Sequence, residues 1–295
     1  MLATFDHSQF PLDRILRFKR EPISVCVPTR ETAATIAATV RAVAGLRDAG
    51  LVDQLLVVDA GSEDGTATIA AEAGAEVFQE SELLPDFGPV KGKGDAMWRA
   101  LSVCRGELVV YLDGDVRDFG AHYVTGLLGP LLQSPPVGFV KGFYRRPLAI
   151  EEMEIEDGGG RVTELTARPL LELLVPELAA FRQPLAGECA GRRSLLAAIP
   201  YMTGYGVEIA MLIEVWRRAG IERMAQVDLG SKRNSHQSLA ALAEMARDIV
   251  AALATELEQE GGPPTGSLAG AAGGRPSRLS RRPPIAELAG SISHG

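Results

Sequence analysis

A doubly wound, mainly parallel α/β sheet is the fold class that this 295-residue sequence predicts. Short apolar, β-rich runs alternate with stretches of helical character, the βαβαβα signature of a sheet covered by helices on both faces. The runs are continuous rather than alternating, as in strands buried on both sides, and two of them stop abruptly at carboxylates. In such sheets ligands bind at the carboxyl ends of the strands, so acids placed there are candidates for chemistry.

Residues 1–21 mix charge with Phe5, Phe10 and Phe18 and read as a short helix packed on the domain. Ile23-Ser24-Val25-Cys26-Val27-Pro28 is the first strand, after which Thr29-Arg30-Glu31-Thr32 opens a helix to about residue 46, with Thr29 or Thr32 as N-cap. Leu55-Leu56-Val57-Val58-Asp59 is the second strand. It passes through Ala60-Gly61-Ser62-Glu63-Asp64-Gly65-Thr66 into a helix over about 67–73, and Glu76-Val77-Phe78 forms a short third strand. Gly92-Lys93-Gly94 precedes a helix over about 95–104. That helix leads into the central strand, Leu108-Val109-Val110-Tyr111-Leu112, which ends in Asp113-Gly114-Asp115. Residues i and i+2 of an extended chain point the same way, so the two acids can converge on one ligand, with Gly114 leaving space between them. Hard oxygen donors of this kind suit Mg²⁺ or Mn²⁺, which share their shell with substrate phosphates. The simplest target is a metal-bound diphosphate; the plainer reading is a strand-to-turn junction.

Composition narrows the classes. With 46% hydrophobic and 23% charged residues the chain is of ordinary globular type, large enough for a sizeable core. Its net charge of −8 gives no basic footprint for nucleic acid or an anionic membrane, so any anionic ligand must be met by local positive groups. The three cysteines, Cys26, Cys104 and Cys189, lack metal-ligand spacing and read as reduced, buried thiols of a cytoplasmic protein. No segment approaches the apolar length of a membrane span.

The three strand endings, Val27-Pro28-Thr29-Arg30-Glu31, Val58-Asp59 with Ala60 to Thr66, and Asp113-Gly114-Asp115, together resemble the family-2-like nucleotide-sugar transferases of the GT-A fold. The resemblance implies donor contacts at Pro28, Thr29, Glu31, Asp59, Gly61 and Ser62, and metal-diphosphate contacts at Asp113, Gly114 and Asp115. Further on stand Lys141-Gly142-Phe143-Tyr144-Arg145-Arg146-Pro147, Gly158-Gly159-Gly160-Arg161-Val162-Thr163, Gln183-Pro184-Leu185-Ala186-Gly187-Glu188 and Gly204-Tyr205-Gly206-Val207-Glu208. From about residue 22 to 255 these resemble the glucosyl-3-phosphoglycerate synthases and their mannosyl-transferring relatives. That likeness implies that Gly160, Arg161 and Thr163 hold the phosphate and carboxylate of 3-phosphoglycerate, and that Lys93, Leu185, Tyr205, Glu208 and Lys232 serve the donor. The loop's own chemistry agrees: glycines expose backbone N–H groups to an anion, and a guanidinium grips it bidentately. Arg145 and Arg146, after an apolar strand, either face the acceptor or solvate a strand edge, and the second reading is preferred. Glu208 is either a helix-N-terminal acid or an acceptor for sugar hydroxyls, and the resemblance favours the sugar.

Of four histidines, His7 and His294 are terminal and His122 falls in a helical stretch, which leaves His236 to join Asp115 on the metal. Relatives place a metal-binding histidine in this segment, although strict spacing from Leu229-Gly230 puts Asn234 there instead. Residues 239–259 form an Ala/Leu-rich helix, and 261–295, rich in Gly, Pro, Ser and Arg, read as a mostly disordered tail without a motif.

The sequence therefore predicts an N-terminal segment (1–21), a nucleotide-sugar half (22–140), an acceptor half (141–260) and the tail (261–295). The expected activity is transfer of glucose or mannose from UDP-glucose, GDP-glucose or GDP-mannose to the 2-hydroxyl of 3-phosphoglycerate. The resemblance implies retention at the anomeric carbon, with Asp113, Asp115, Lys93 and Glu208 as the catalytic set. A dimer is the base-rate expectation. A nucleotidyltransferase is disfavoured because no Gly-rich basic loop follows the first strand. A non-catalytic scaffold would need neither the acid pair nor the anion-gripping loop.

Overall fold

The computed structural model describes residues 1–146, 148–150, 153–155, 159–232, 238–258 and 279–288. Its strands are β1 (Ala3–Asp6), β2 (Ile23–Thr29), β3 (Gln54–Asp59), β4 (Glu76–Gln79), β5 (Leu108–Tyr111) and β6 (Phe139–Arg145), then β7 (Leu148–Ile150), β8 (Met153–Ile155), β9 (Cys189–Arg192), β10 (Tyr201–Met202), β11 (Met224–Ser231) and β12 (Arg281–Arg282). Eight of them form one sheet in the order β1-β11-β6-β9-β5-β2-β3-β4, while β7–β8 and β10–β12 are separate pairs. Within the large sheet only β9 runs antiparallel to its neighbours, β5 and β6. The chain winds outward from β2 to β3 and β4, then returns to the other side of β2 as β5. This reversal is a topological switch point, and it opens a crevice at the carboxyl ends of β2 and β5.

Each strand feeds two cores. Val25, Val27, Leu55, Val57, Leu108 and Val110 pack on one face, while the intervening Cys26, Leu56, Val58, Val109 and Tyr111 pack on the other. This period-two division explains why the strands read as continuous apolar runs. The first face is covered by α1 (Leu12–Leu16), α2 (Ile36–Asp48), α3 (Thr66–Glu72) and α5 (His122–Gln133). The second is covered by α4 (Lys93–Val103), α6 (Arg168–Leu174), α7 (Arg193–Ala197), α8 (Val207–Ala219) and α9 (Leu239–Glu258). Among the described residues no helix is long and apolar enough to cross a membrane.

Three local expectations change. The N-terminal segment is not only a helix: Ala3–Asp6 adds the edge strand β1 to β11, pairing Ala3 with Ala225 and Asp6 with Asp228. Neither Thr29 nor Thr32 caps α2, which begins after Thr35. Their hydroxyls bond to each other, and the Thr32 N–H donates to Thr66 Oγ1 at 2.9 Å, so both brace the turn instead. Finally, residues 279–288, assigned by sequence to the tail, are folded against the second face, with β12 paired to β10.

Candidate active site

A cleft of about 800 Å³ opens at the switch point and collects residues from distant parts of the chain. Pro28 and Thr29 enter from β2, Asp113, Gly114 and Asp115 from the end of β5, Lys93 and Glu208 from the first turns of α4 and α8, with Tyr205 just before α8. Gly160, Arg161 and Thr163 line it from the loop and helical turn before α6, and Leu185 and Lys232 complete the expected set. Tyr205 stands half exposed. Glu31, Asp59, Gly61 and Ser62 do not line the cleft. Asp59 is 1% exposed and accepts from the Ser62 N–H at 3.0 Å, the Ser62 hydroxyl at 2.6 Å and Gln79 Nε2 at 3.3 Å. The Glu31 N–H donates to the Ser62 hydroxyl at 2.9 Å, so these residues build the wall behind Pro28 and Thr29. His236 and Asn234 lie outside the described residues.

At the floor is a network of opposed charges. Asp113 accepts from Lys93 Nζ and Lys232 Nζ, each at 2.7 Å. Lys93 also meets Glu208 at 2.8 Å, and Lys232 meets Glu188 at 2.5 Å. Tyr144 donates its hydroxyl to the other oxygen of Glu188 at 2.8 Å. Burial by itself would raise the Asp113 carboxyl, but the ammonium groups of Lys232 and Lys93 outweigh it and hold the group well below its usual range. Burial would likewise lower both lysines; Asp113 with Glu208 holds Lys93 well above its ordinary value, and Asp113 with Glu188 does so for Lys232. Asp113, Lys93 and Lys232 therefore keep their charges across the neutral range.

Glycines make this approach possible. A Cβ at Gly187 would stand 2.2 Å from Asp113 Oδ1 and 2.5 Å from Lys93 Nζ, so only glycine leaves room for the pair. At Gly94 it would stand 1.9 Å from the Met202 carbonyl, so Gly-Lys-Gly lets α4 start hard against β10 with Lys93 turned into the cleft. Gly114 does not leave space for ligand as expected; the space is taken by Thr29, whose hydroxyl would be 2.6 Å from an added Cβ.

The acceptor-side loop is shaped the same way. The Gly159 N–H donates to the Arg146 carbonyl at 3.0 Å, and Gly160 takes a left-handed φ of 72° before the chain turns helical at Arg161. The two arginines read as edge residues part company. Arg145 is exposed, but Arg146 lines the cleft, lies over the Tyr144 ring at 5.2 Å and leaves its buried Nε without a hydrogen-bond partner. Sequence reasoning leaned to the edge for Arg146 and did not single out Tyr144, Gly187 or Glu188, although all four stand inside stretches quoted for the resemblance. What they do depends on contacts across the sheet.

Asp115 is exposed at the end of β5 and faces the same cleft as Lys93, Lys232 and three arginines, Arg30, Arg146 and Arg161, a donor suited to a divalent cation shared with phosphate. Asp113 is occupied by the ammonium groups of Lys93 and Lys232, so it would not by itself anchor such an ion. Among the described residues no three His, Cys, Asp or Glu side chains form a metal cage. Of the residues expected to hold the metal, the described part of the chain contributes Asp115, with Asp113 beside it.

Comparison with known proteins bears on this geometry. Residues 24–183 match the family described as Glycosyl transferase family 2. The glucosyl-3-phosphoglycerate synthase of Mycolicibacterium smegmatis is 44% identical over 234 residues, covering 78% of this chain and 76% of that protein. The crystal structure of mannosyl-3-phosphoglycerate synthase from Rubrobacter xylanophilus superposes with a TM-score of 0.86 at 44% identity, covering 97% of each chain. Glucosyl-3-phosphoglycerate synthase from Mycobacterium tuberculosis, in complex with Mn²⁺, UDP-glucose and phosphoglyceric acid, superposes with a TM-score of 0.84 at 37% identity, covering 97% of this chain and 99% of that one. The sheet described above is thus of the GT-A type, and the chain belongs to glycosyl transferase family 2, in the group formed by the glucosyl- and mannosyl-3-phosphoglycerate synthases.

Proposed function

We propose that this enzyme transfers glucose or mannose from a nucleotide sugar to the 2-hydroxyl of 3-phosphoglycerate, with retention at the anomeric carbon. The observation that carries the reading is a single cleft joining an acid pair, two lysines and the Gly160-Arg161 loop, with an overall acidic protein around it. Pro28, Thr29 and the wall behind them receive the nucleoside, Lys93 and Lys232 face the diphosphate, and Leu185, Tyr205 and Glu208 face the sugar. Arg161, with the backbone of Gly160 and with Thr163, receives the phosphate and carboxylate of the acceptor. Mg²⁺ or Mn²⁺, held by Asp115 with His236 or Asn234 and with Asp113 close by, would neutralise the departing diphosphate.

None of the acids in the cleft is assigned as a nucleophile. Of the acids that line it, Asp113 and Glu208 are paired to ammonium groups, Glu80 is buried and Asp115 is given to the metal; Glu188, outside the lining, is fully buried. A same-face displacement follows: the bond from the anomeric carbon to the leaving phosphate oxygen breaks as that to the acceptor oxygen forms, and the hydroxyl proton passes to the leaving oxygen. Lys93 stabilises the charge that develops there. This reading places donor recognition in residues 22–140 and acceptor recognition in 141–260, and expects a cytoplasmic homodimer.

A donor panel tests it. UDP-glucose, GDP-glucose and GDP-mannose are incubated with Mg²⁺, with and without 3-phosphoglycerate, and the product anomer is read by NMR. Acceptor-dependent release of nucleoside diphosphate is expected; pyrophosphate release, or no acceptor dependence, would refute the assignment.

A further inference from the structure

Residues 279–288 look like an appendage in sequence, yet they carry a heavily bonded arginine packed on the second face. Arg282 is 8% exposed and donates from Nε and Nη2 to the two oxygens of Asp95 at 2.8 and 2.6 Å. Its Nη1 donates to the Phe87 carbonyl at 2.7 Å and its Nη2 to that of Pro89 at 3.4 Å. Trp98 returns a bond from its indole N–H to the Pro283 carbonyl at 2.7 Å. Asp95 is fully buried; it also accepts the Lys91 N–H at 2.9 Å and, at a looser 3.3 Å, Arg99 Nε. The segment holds a second loop as well. The Thr203 N–H donates to the Ser280 carbonyl at 2.9 Å, and the Ser280 N–H donates to the Thr203 hydroxyl at 2.8 Å.

These bonds fall at two strategic places. The chain from Phe87 to Gly92 leads directly into Lys93, and the turn after Thr203 leads into Tyr205 and Glu208. The Gly204 N–H donates to the Lys91 carbonyl at 2.9 Å, so the two loops touch, and Lys93 and Glu208 are ion-paired beyond them. We propose that residues 279–288 form a clamp on the donor side of the cleft, with Arg282 as a positioning residue that sets the loop before Lys93. The clamp rests on the donor placement proposed above. Arginine is required because a planar fork serves both a carboxylate and two carbonyls, whereas a lysine offers one point of charge. If the clamp holds the donor-binding arrangement, linkage makes the effect mutual: bound nucleotide sugar must stabilise the seated clamp by the same factor by which the clamp favours the nucleotide sugar.

Two measurements on the full chain test this. In the first, hydrogen exchange of residues 279–288 and of Thr203 is followed with and without saturating UDP-glucose, GDP-glucose or GDP-mannose. Protection should rise with the donor that is turned over and not with 3-phosphoglycerate alone; unchanged protection overturns the clamp. In the second, Arg282→Gln should raise the donor KM by about tenfold or more, since a misplacement of about 1 Å costs up to ~10²-fold. The acceptor KM should stay within about twofold, and Arg282→Lys should fall between. Equal rises in both KM values, or none, reduce Arg282 to a stabilising residue. Should Arg282→Gln fail to fold, the exchange measurement decides alone. A parent chain that binds none of the three donors sinks the donor placement and the clamp together. A parent that binds one of them while Arg282→Gln binds it equally sinks only the clamp.

Discussion

Replacing Lys232 by methionine removes the charge at the centre of the network while keeping the volume. The Lys232 side chain is 0% exposed, and so is its partner Glu188. Its ammonium lies 2.7 Å from Asp113 and 5.1 Å from the centre of the Tyr144 ring. Without it, Glu188 keeps the Tyr144 hydroxyl as its hydrogen-bond partner among the described residues, and Lys93 is left as the one cation in direct ion-pair contact with Asp113 and Glu208 there, Lys141 and Arg146 acting on the carboxylates from farther off. Breaking a buried ion pair from one side costs about 3–5 kcal/mol because the remaining charge is left without compensation. At about 2 °C per kcal/mol for a chain of this size, the melting temperature should fall by roughly 6–10 °C at pH 8. An orphaned buried carboxylate answers by taking up a proton, so its folded pKa rises and its penalty shrinks as the pH falls. The deficit should therefore be smaller at pH 5 than at pH 8, and Lys232→Met combined with Glu188→Gln should recover at least half of it. Calorimetry of the four proteins of this double-mutant cycle at both pH values checks the argument. A fall of under about 2 °C, or one indifferent to pH and to Glu188→Gln, would refute it.

Three further outcomes are expected. Asp115→Ala should abolish transfer while leaving the melting temperature within about 2 °C, because Asp115 is exposed and substitutions at exposed positions move stability little; retained turnover with Mg²⁺ would exclude it from the metal site. Arg161→Ala should raise the acceptor KM by one to two orders of magnitude, as a charge-assisted contact of about 1.5–3 kcal/mol predicts, while calorimetric donor binding without acceptor hardly changes. The reverse pattern would move the 159–163 loop to the donor side. Glu80 is 4% exposed, and burial, then Asp95, push its carboxyl from 4.5 up to about 7. A folded pKa above the unfolded one means that stability is lost as the pH rises from about 4.5 to 7, by about 3 kcal/mol. Glu80→Gln should accordingly melt higher than the parent at pH 8 and close to it at pH 4.5, and a gap independent of pH would argue against that origin.

Much of the fold could be read from local pattern, and the reason is physical. Strands β2, β3 and β5 bury both faces, so they read as apolar runs broken only by buried polar residues such as Ser24 and Gln54, and the change to Asp113 at the end of β5 marks the ligand edge without any knowledge of neighbours. The Gly-Gly-Gly-Arg and Gly-Lys-Gly stretches announce themselves because few other uses require such residues together. Contacts made across long separations leave no such mark. The short edge strand β1 finds its partner in β11 at the far end of the chain, and β9 enters the sheet antiparallel between β5 and β6. Lys232 meets Asp113 across 119 residues, and Arg282 meets Asp95 across 187. An isolated lysine or arginine in a polar stretch has the same composition whether it is solvated or buried against a carboxylate. The sequence by itself determined the sheet, its ligand edge and the charged residues that would meet there. Only the tertiary structure decided which of those charges neutralise one another, because desolvation and pairing are properties of the assembled core rather than of any segment.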